Sequence, residues 1–412
     1  MTTATGTPIT TRTDGNDPAG AMPLPTRRDE AWRYAPHRDL ARLAFGPAPQ
    51  AVDVPADVLA GIPQLGGPLV VMVNGVVDSE LSQLESLPAG LTVHPGGGAD
   101  GGDSRLAPHT ELDAAAPVDA YDALNRSLSG NGVSVLVDAG EQIDPPIHVA
   151  HLLHPGDAPN AVCGRVRITL GEASAATVVE THVSVGDLAG GASVRTSIVL
   201  EADATLEHLV LQDLSAQQML LARIEVNQHP RSRLRARSFN LGGRYGRIAS
   251  QVDLVGEGAE ADLAGLYSGS GDQVLDQQPT VVHRAPGCTS RQAYRGVLDD
   301  SSTGVFSGGI DVRPGADGTD ARQSNDNLLL SRQAEVDTQP RLEILADDIA
   351  CQHGATVGQL DPTALFYLRT RGMTEDEAGR VLVNAFADQV VEEVRHDAVR
   401  DWLSRRLGHD HD

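Results

Sequence analysis

Val194-Arg195-Thr196-Ser197-Ile198-Val199-Leu200 runs into Glu201-Ala202-Asp203-Ala204 and then into the apolar-polar stretch 206–211. The outer segments are short, β-prone and mix apolar with polar residues, which is the pattern of strands, and the four residues between them read as a turn. The unit recurs along the chain. Turn-like segments begin at Glu172 (EASA), Glu201 (EADA), Pro230 (PRSR), Glu257 (EGAE), Pro286 (PGCT), Pro314 (PGAD) and Ala346 (ADDI), at spacings of 29, 29, 27, 29, 28 and 32 residues. Strand-like runs at 224–226 and 249–255 fall into the same rhythm. A fixed repeat of this size means stacked units that share one continuous core. Because each unit is all strand, the expected fold is mainly β: a right-handed parallel β-helix or solenoid core over residues 132–360, with helical regions at both ends. An ordinary β-sandwich with evenly spaced strands is the alternative.

Outside the repeat the pattern changes. Residues 1–22 are rich in Thr, Gly, Pro and Asp and read as a disordered tail. Residues 23–131 form a mixed N-terminal region. Short helices are expected at 27–34 and 39–45, strands at 69–73 and 91–93, a Gly-rich linker near 95–108, and a helix at 121–128. Residues 361–412 read as a helical domain. Asp361 caps a helix over 363–371 that starts at Pro362 and stops at Gly372. A second helix starts at Thr374 with Glu377 three residues on, a capping box. Val381, Leu382, Ala385, Phe386, Val390, Val394, Trp402 and Leu403 give it one broad apolar face, and Gly408 closes it. This antiparallel pair is expected to cover the solenoid end or to receive a partner.

Composition narrows the function. The chain has 412 residues, 40% of them apolar and only 3% aromatic, with 43 glycines, so its core is built from small and aliphatic side chains. The formal net charge of −24 repels nucleic acid and anionic membranes, and neither is an expected partner. No lysine occurs. A Walker A phosphate loop and lysine Schiff-base chemistry are therefore excluded, and any ATP hydrolysis must sit on another subunit. Cys163, Cys288 and Cys351 are three scattered thiols, which suit a reducing cytoplasm better than a disulfide framework and cannot make a four-cysteine site in one chain. No apolar run is long enough to span a membrane, and the first 20 residues lack the apolar segment of a signal peptide.

Several motifs compete as sites. Gly96-Gly97-Gly98-Ala99-Asp100-Gly101 matches GxGxxG by letter but opens no apolar helix, so a loop is the reading. Asp299, Asp300, Asp311, Asp317, Asp320, Asp326, Asp337, Asp347 and Asp348 could serve a β-helix carbohydrate-active enzyme, or could be turn and surface acids. His148, His151 and His154 recur every three residues, which on a strand places neighbours on opposite faces and argues against a joint metal site. His409 and His411 lie in a terminal tail and could bind metal adventitiously. Cys351-Gln352-His353 differs: in a strand, positions 351 and 353 project from one face, and thiolate with imidazole suits iron, zinc or copper. Two ligands do not complete a site, so a second chain or exogenous sulfide is needed. A buried cysteine beside a structural histidine is the plainer alternative.

The run 341–361 (RLEILADDIACQHGATVGQLD) resembles the SufB/SufD family, as do 364–372 (ALFYLRTRG), 294–300 (YRGVLDD) and 323–331 (QSNDNLLLS). The segments 30–34 (EAWRY) and 123–125 (ALN) look like its SufD branch. The resemblance implies a β-helix core with helical ends and a non-catalytic scaffold subunit of an ATPase-coupled complex for iron–sulfur cluster assembly. It implies a SufB paralogue as heterodimer partner, a SufC ATPase that carries the P-loop, and support of iron acquisition. No cofactor would be stably bound by this chain alone; iron or a nascent cluster would pass transiently through the SufB–SufD interface. SufB-like chains carry Cys within Phe-Tyr-Cys-Arg, and Leu368 stands there in this chain, so that ligand role is not carried over. The SufD histidine near the subunit interface matches His353, a metal ligand shared with the partner, and Cys351 falls two residues before it. Residues 362–407 match the SufC-docking region, which makes Phe366, Tyr367, Arg369 and Arg371 contact candidates, with buried packing an equal explanation for the two aromatics. A SufB-type scaffold that binds the cluster itself is the nearest alternative, and a homodimer of the isolated chain is open.

Overall fold

The structure is a computed structural model that describes residues 22–46, 52–96, 104–106, 109, 112, 115–128, 132–156 and 160–408. The expected tail up to residue 21, most of the Gly-rich stretch 95–108 including Gly97–Gly101, and residues 409–412 lie outside the described residues.

The chain winds as a β-solenoid of about 7 turns. From residue 133 on the chain alternates between a 12-stranded and a 10-stranded sheet, and its strands pair in parallel with those one coil earlier, whereas the N-terminal strands Val76–Gln83 and Leu91–Pro95 pair antiparallel. The register follows the sequence period: Gly164 aligns with Val194, Val194 with Ala222, Ala222 with Ile248 and Ile248 with Gln277. The repeated turns are the corners. Ala173, Asp203 and Arg231, then Gly258, Gly287 and Gly315, all adopt positive φ at the turns expected from the spacing. The first three are not glycine, and an L-residue resists this conformation by roughly 1–2 kcal/mol. Stacking offsets that cost. The N–H of Ala173 donates to the Ala202 carbonyl, that of Asp203 to Pro230, and that of Arg231 to Glu257, each at 2.9 Å. The corner ladder thus holds the bend one coil after another.

Between the sheets lies an aliphatic core that includes Val166, Ile168, Val178, Leu206, Val226 and Val281, which accounts for the low aromatic content. Toward the C-terminal end this interior turns polar, with Gln292, Gln323, Asn325 and Asn327 buried in it.

The N-terminal region differs in detail from expectation. Residues 27–34 contain a 3-10 turn, Glu30–Trp32; residues 37–45 contain helix α1 (His37–Leu40) and a short strand, Ala44–Phe45, that pairs with Asn160–Leu170. With α3 (Ala120–Leu128), which follows α2 (Ala56–Ala60), they close the outside of the 12-stranded sheet around Trp32, Phe45, Tyr121 and Leu124. The strands Leu69–Val73 and Leu91–Pro95 join one sheet each, next to Ile147–Leu153 and Val133–Val137. The two sheets therefore begin before residue 132. The strand Val76–Gln83, which hairpins onto Leu69–Val73, has no clear apolar alternation and is not among the expected strands.

The C-terminal region holds three helices rather than a pair: α4 (Pro362–Thr370), α5 (Glu375–Val391) and α6 (Asp397–Leu407). No glycine or proline marks the break after Val391. Arginines satisfy the freed carbonyls there: Arg235 donates to Glu393 O and Arg400 to Val394 O. The apolar face does not cover the solenoid end. Val390, Val394, Trp402 and Leu403 pack against Val179, Leu209, Leu211, Phe239 and Leu266 on the outside of the 10-stranded sheet, whereas Val381 is exposed. The Trp402 indole donates to Gly61 O at 2.8 Å and pins α6. Docking on the flank leaves the C-terminal edge of the solenoid open.

Candidate functional site

The open edge is the strand Ile349–Gly358, which ends the 10-stranded sheet and pairs on one side with Thr319–Leu329. In that register Cys351 aligns with Ala321 and His353 with Gln323. Ala321 is fully buried, and Gln323 is buried with its Nε2 donating to Gln292 Oε1 at 2.9 Å. Cys351 and His353 therefore share the face that continues the interior column, as the two-residue period requires. Cys351 is half-buried against Ile310, Val312, Ala316 and Ala321. From Gln352 to Gly358 every residue is exposed, His353 included.

An edge strand solvated on both faces presents a row of unpaired backbone donors and acceptors, which is a template for another strand. Its surroundings are apolar as well: Ile344, Leu345 and Val357 are exposed at 39%, 52% and 51%. Asp347 and Asp348 stand exposed at its head. Burial pushes the Cys351 thiol up, and the Asp320 carboxylate adds to the shift. The thiol is thus protonated at neutral pH, and an arriving metal ion must deprotonate it to be ligated. The edge offers one thiol and one imidazole, so any metal or cluster held here needs donors from outside the chain.

After the strand, α4 begins as the sequence dictates. The Asp361 side chain accepts from Thr363 N at 2.9 Å, Pro362 takes the first helical position, and Gly372 follows with φ of 98°. The α5 capping box of Thr374 and Glu377 also forms. No residue of α4 is buried. Phe366 and Tyr367 are 68% and 56% exposed, which removes buried packing as their explanation. Arg371 donates to the Tyr367 hydroxyl at 3.0 Å, and Arg369 pairs with Glu375 at 3.2 Å. Leu368 is half-buried and offers no donor atom.

The remaining candidates separate clearly. Burial pushes the Cys163 thiol up to about 12, and Cys288 is buried with Sγ donating to Gly256 O, so both act as core residues. Several of the acids are in ion pairs or hydrogen bonds: Asp311 with Arg341, Asp320 with Arg322, Asp326 with Thr356. His148 faces outward and bonds Thr181, whereas His151 faces inward and bonds Glu180, so the histidine triplet does not converge. Instead His151 meets Glu180 and His182, a cluster that reading the histidines by adjacency missed. The repeat itself carries the signal: His151 and His182 are 31 residues apart and in register on neighbouring coils, and Glu180 stands two residues before His182 on the same face of its strand.

Residues 153–386 match the family described as SUF system FeS cluster assembly, SufBD core domain. The chain is 30% identical over 392 residues to the iron-sulfur cluster assembly protein SufD of Escherichia coli, covering 93% of this chain and 89% of that protein. It is 27% identical over 402 residues to a SufBD family assembly protein of Synechocystis, covering 94% and 87%. A SufD of Bacillus subtilis is 25% identical over 289 residues, covering 68% and 64%.

Proposed function

This chain belongs to the SufBD family of the SUF iron–sulfur cluster assembly system, and from that premise we propose that it is a SufD-like, non-catalytic scaffold subunit working in the cytoplasm with a SufB paralogue and a SufC ATPase. The observation that carries the reading is the open strand Ile349–Gly358, solvated on both faces and bearing Cys351 and His353 in line with the interior column. A partner strand added to this edge gains main-chain hydrogen bonds along its length and covers Val357 and Leu345. The same docking brings the partner's donors to Cys351 and His353, which completes a ligand set that neither chain holds alone. Iron or a nascent cluster is then held transiently at the joint and passed on.

The second contact is α4. Phe366 and Tyr367 are rigid aromatics exposed on a helix that buries nothing of its own, the kind of anchor that dominates protein interfaces. In this account the ATPase docks there, with Arg369 and Arg371 at the rim. Closure of two ATPase subunits on ATP moves the helical ends of the scaffold pair, and the solenoids carry that motion to the joint at His353.

The test is co-expression of the tagged chain with its genomic neighbours. Recovery of an ABC-type ATPase and a SufB-like paralogue is the expected result. Within that complex, His353→Ala is expected to lower cluster delivery in cells that depend on it, and unchanged delivery would overturn the assigned role.

A further inference from the structure

Glu180 lies inside the solenoid and is 1% exposed. Its Oε2 accepts from His151 Nε2 at 3.0 Å and its Oε1 from His208 Nε2 at 2.8 Å, while the Thr196 hydroxyl lies 2.9 and 3.0 Å from the two oxygens. His151 and His182 are in register on neighbouring strands, and their rings stack at 4.4 Å with an angle of 10° between planes. One ligand atom each from His151, Glu180 and His182 lie within 4.8 Å of one another.

His182 is the unexplained member. It is 3% exposed, and among the described residues neither of its ring nitrogens finds a hydrogen-bond partner. Leaving a buried polar group unmade costs about 1–3 kcal/mol, so such a group points to an occupant. A cavity of about 20 Å³ lies against it, lined by His151, His182 and Asn74 among glycines and aliphatic side chains such as Leu152, Val194 and Leu220, with room for a single water-sized occupant. Asn74 Nδ2 is also buried without a partner, and its orientation is fixed because Oδ1 accepts from His154 N at 2.8 Å.

The protonation states suit a cation. Burial opposes ionisation of Glu180, but the hydrogen bonds from His151 and His208 outweigh it and hold the carboxyl well below its usual range. Burial, with His151 beside it, pulls His182 down to about 3, so its imidazole keeps a free lone pair at neutral pH. Bonds of 2.0–2.2 Å to a tetrahedral ion place ligands about 3.3 Å apart. The His151–Glu180 separation is already near that value, and His182 has a short distance to close.

We propose that His151, Glu180 and His182 form a binding site for one divalent first-row transition-metal ion inside the solenoid. Two imidazoles and a carboxylate are borderline ligands with no thiolate, which suits Zn²⁺ or Fe²⁺ rather than Cu⁺ or a cluster. The ion takes the His151 Nε2 lone pair in place of the hydrogen bond to Glu180, and the neutral imidazole carries its proton on Nδ1. His208 and Thr196 keep their bonds to the carboxylate and orient it. A water or hydroxide on the ion gives Asn74 Nδ2 its acceptor. The site depends neither on the terminal strand nor on the assembly reading.

The test uses the full chain, stripped with chelator and dialysed against Zn²⁺ alone, with bound metal counted per chain. One ion per chain is expected in the wild type. It is also expected in a control that combines Cys351→Ser, His353→Ala, His409→Ala and His411→Ala, which removes the competing donors. His182→Leu gives up no hydrogen bond and is expected to fold, yet to bind more weakly by over about 100-fold, beyond the 10–100-fold cost of losing a merely orienting partner. Zn²⁺ is expected to raise the melting temperature of the wild type and the control but not of His182→Leu. Glu180→Gln, close in shape, gives a second variant with the same expectation. The proposal is overturned if the wild type takes up no Zn²⁺, if His182→Leu or Glu180→Gln retains it, or if the control loses it. Any of these results identifies the cluster as a hydrogen-bonded network around water.

Discussion

His353 stands in register with Gln323 on the neighbouring strand, yet Gln323 is 4% exposed and His353 is open to solvent. The two occupy the same column of the same sheet. What separates them is one further coil: Gln323 has a strand on either side of it, and His353 has a strand on one. The column is thus built to continue, and in the proposed assembly another chain supplies the next layer.

His353 and Cys351 are expected to matter to assembly and little to folding. An exposed histidine on an edge strand typically contributes within about 0.5 kcal/mol of stability. His353→Ala should leave the urea midpoint of the isolated chain unchanged while lowering the activity of iron–sulfur enzymes in dependent cells. Cys351→Ser should act in the same direction, since the half-buried thiol shares that face. A variant that lost stability and activity together would make His353 a structural residue.

Phe366 and Tyr367 are predicted to be anchors for the ATPase subunit. Each protrudes from a helix with no buried residue, so Phe366→Ala and Tyr367→Ala should leave the fold intact. Loss of an interface anchor costs about 2 kcal/mol or more, which is roughly a 30-fold rise in Kd. Calorimetric titration of the purified ATPase against each variant measures it; affinities equal to wild type would remove α4 from the interface.

Acid should destabilise the chain partly through His283. Its ring is fully buried, with Nε2 bonded to Ser290 Oγ at 2.8 Å, and burial pulls it from 6.5 down to about 4. The unfolded chain binds this proton below pH 6.5, and the folded chain does so only near pH 4. Stability is therefore unaffected above pH 6.5 and falls as pH drops through that window, at up to about 1.4 kcal/mol per pH unit. His283→Gln does not titrate. Its loss of stability between pH 7 and pH 5, read from urea midpoints, should be smaller than wild type by about 2 kcal/mol, and parallel losses would contradict the assignment.

Arg237 ties the helices to the sheet. Its side chain is fully buried and bonds Asp262 at 2.6 Å and Glu393 at 2.8 Å. Asp262 and Glu393 are partly exposed and each keeps an ion pair with Arg291, so losing Arg237 strands neither charge in the interior. At about 1.5–3 kcal/mol for each charged hydrogen bond, Arg237→Ala should cost about 3 kcal/mol or more. Glu393→Ala leaves the Asp262 bond in place and should cost less, about 1.5–3 kcal/mol, while speeding amide exchange across α5 and α6. Exchange that stays at the wild-type rate in Glu393→Ala would mean the apolar contacts alone hold the helices.

The solenoid was legible because its corners repeat. Positive φ recurs at Ala173, Asp203, Arg231, Gly258, Gly287 and Gly315, within two residues of the turn starts read from the spacing. The pairing of Cys351 with His353 on one face was legible for a similar reason, since it needs only the strand period. Two features were not. The end of α5 carries no breaker, because Arg235 and Arg400 cap its carbonyls from elsewhere. The flank docking of the C-terminal helices depends on Phe239 and Leu266 facing outward, which the sequence of those strands does not distinguish from facing inward. The His151–Glu180–His182 cluster stands between these cases: adjacency hid it, and alignment by coil exposes it.

The central claim is that the edge Ile349–Gly358 joins a SufB paralogue. The most direct measurement is native mass spectrometry of the complex recovered through this chain, co-expressed with the paralogue and the ATPase, for wild type and Val357→Glu. Val357 is 51% exposed, so a charge there should leave the isolated chain folded. The account predicts a paralogue–ATPase assembly from the wild type and loss of the paralogue, with the ATPase retained, from the variant. An intact assembly carrying Val357→Glu would place the joint elsewhere and contradict the account.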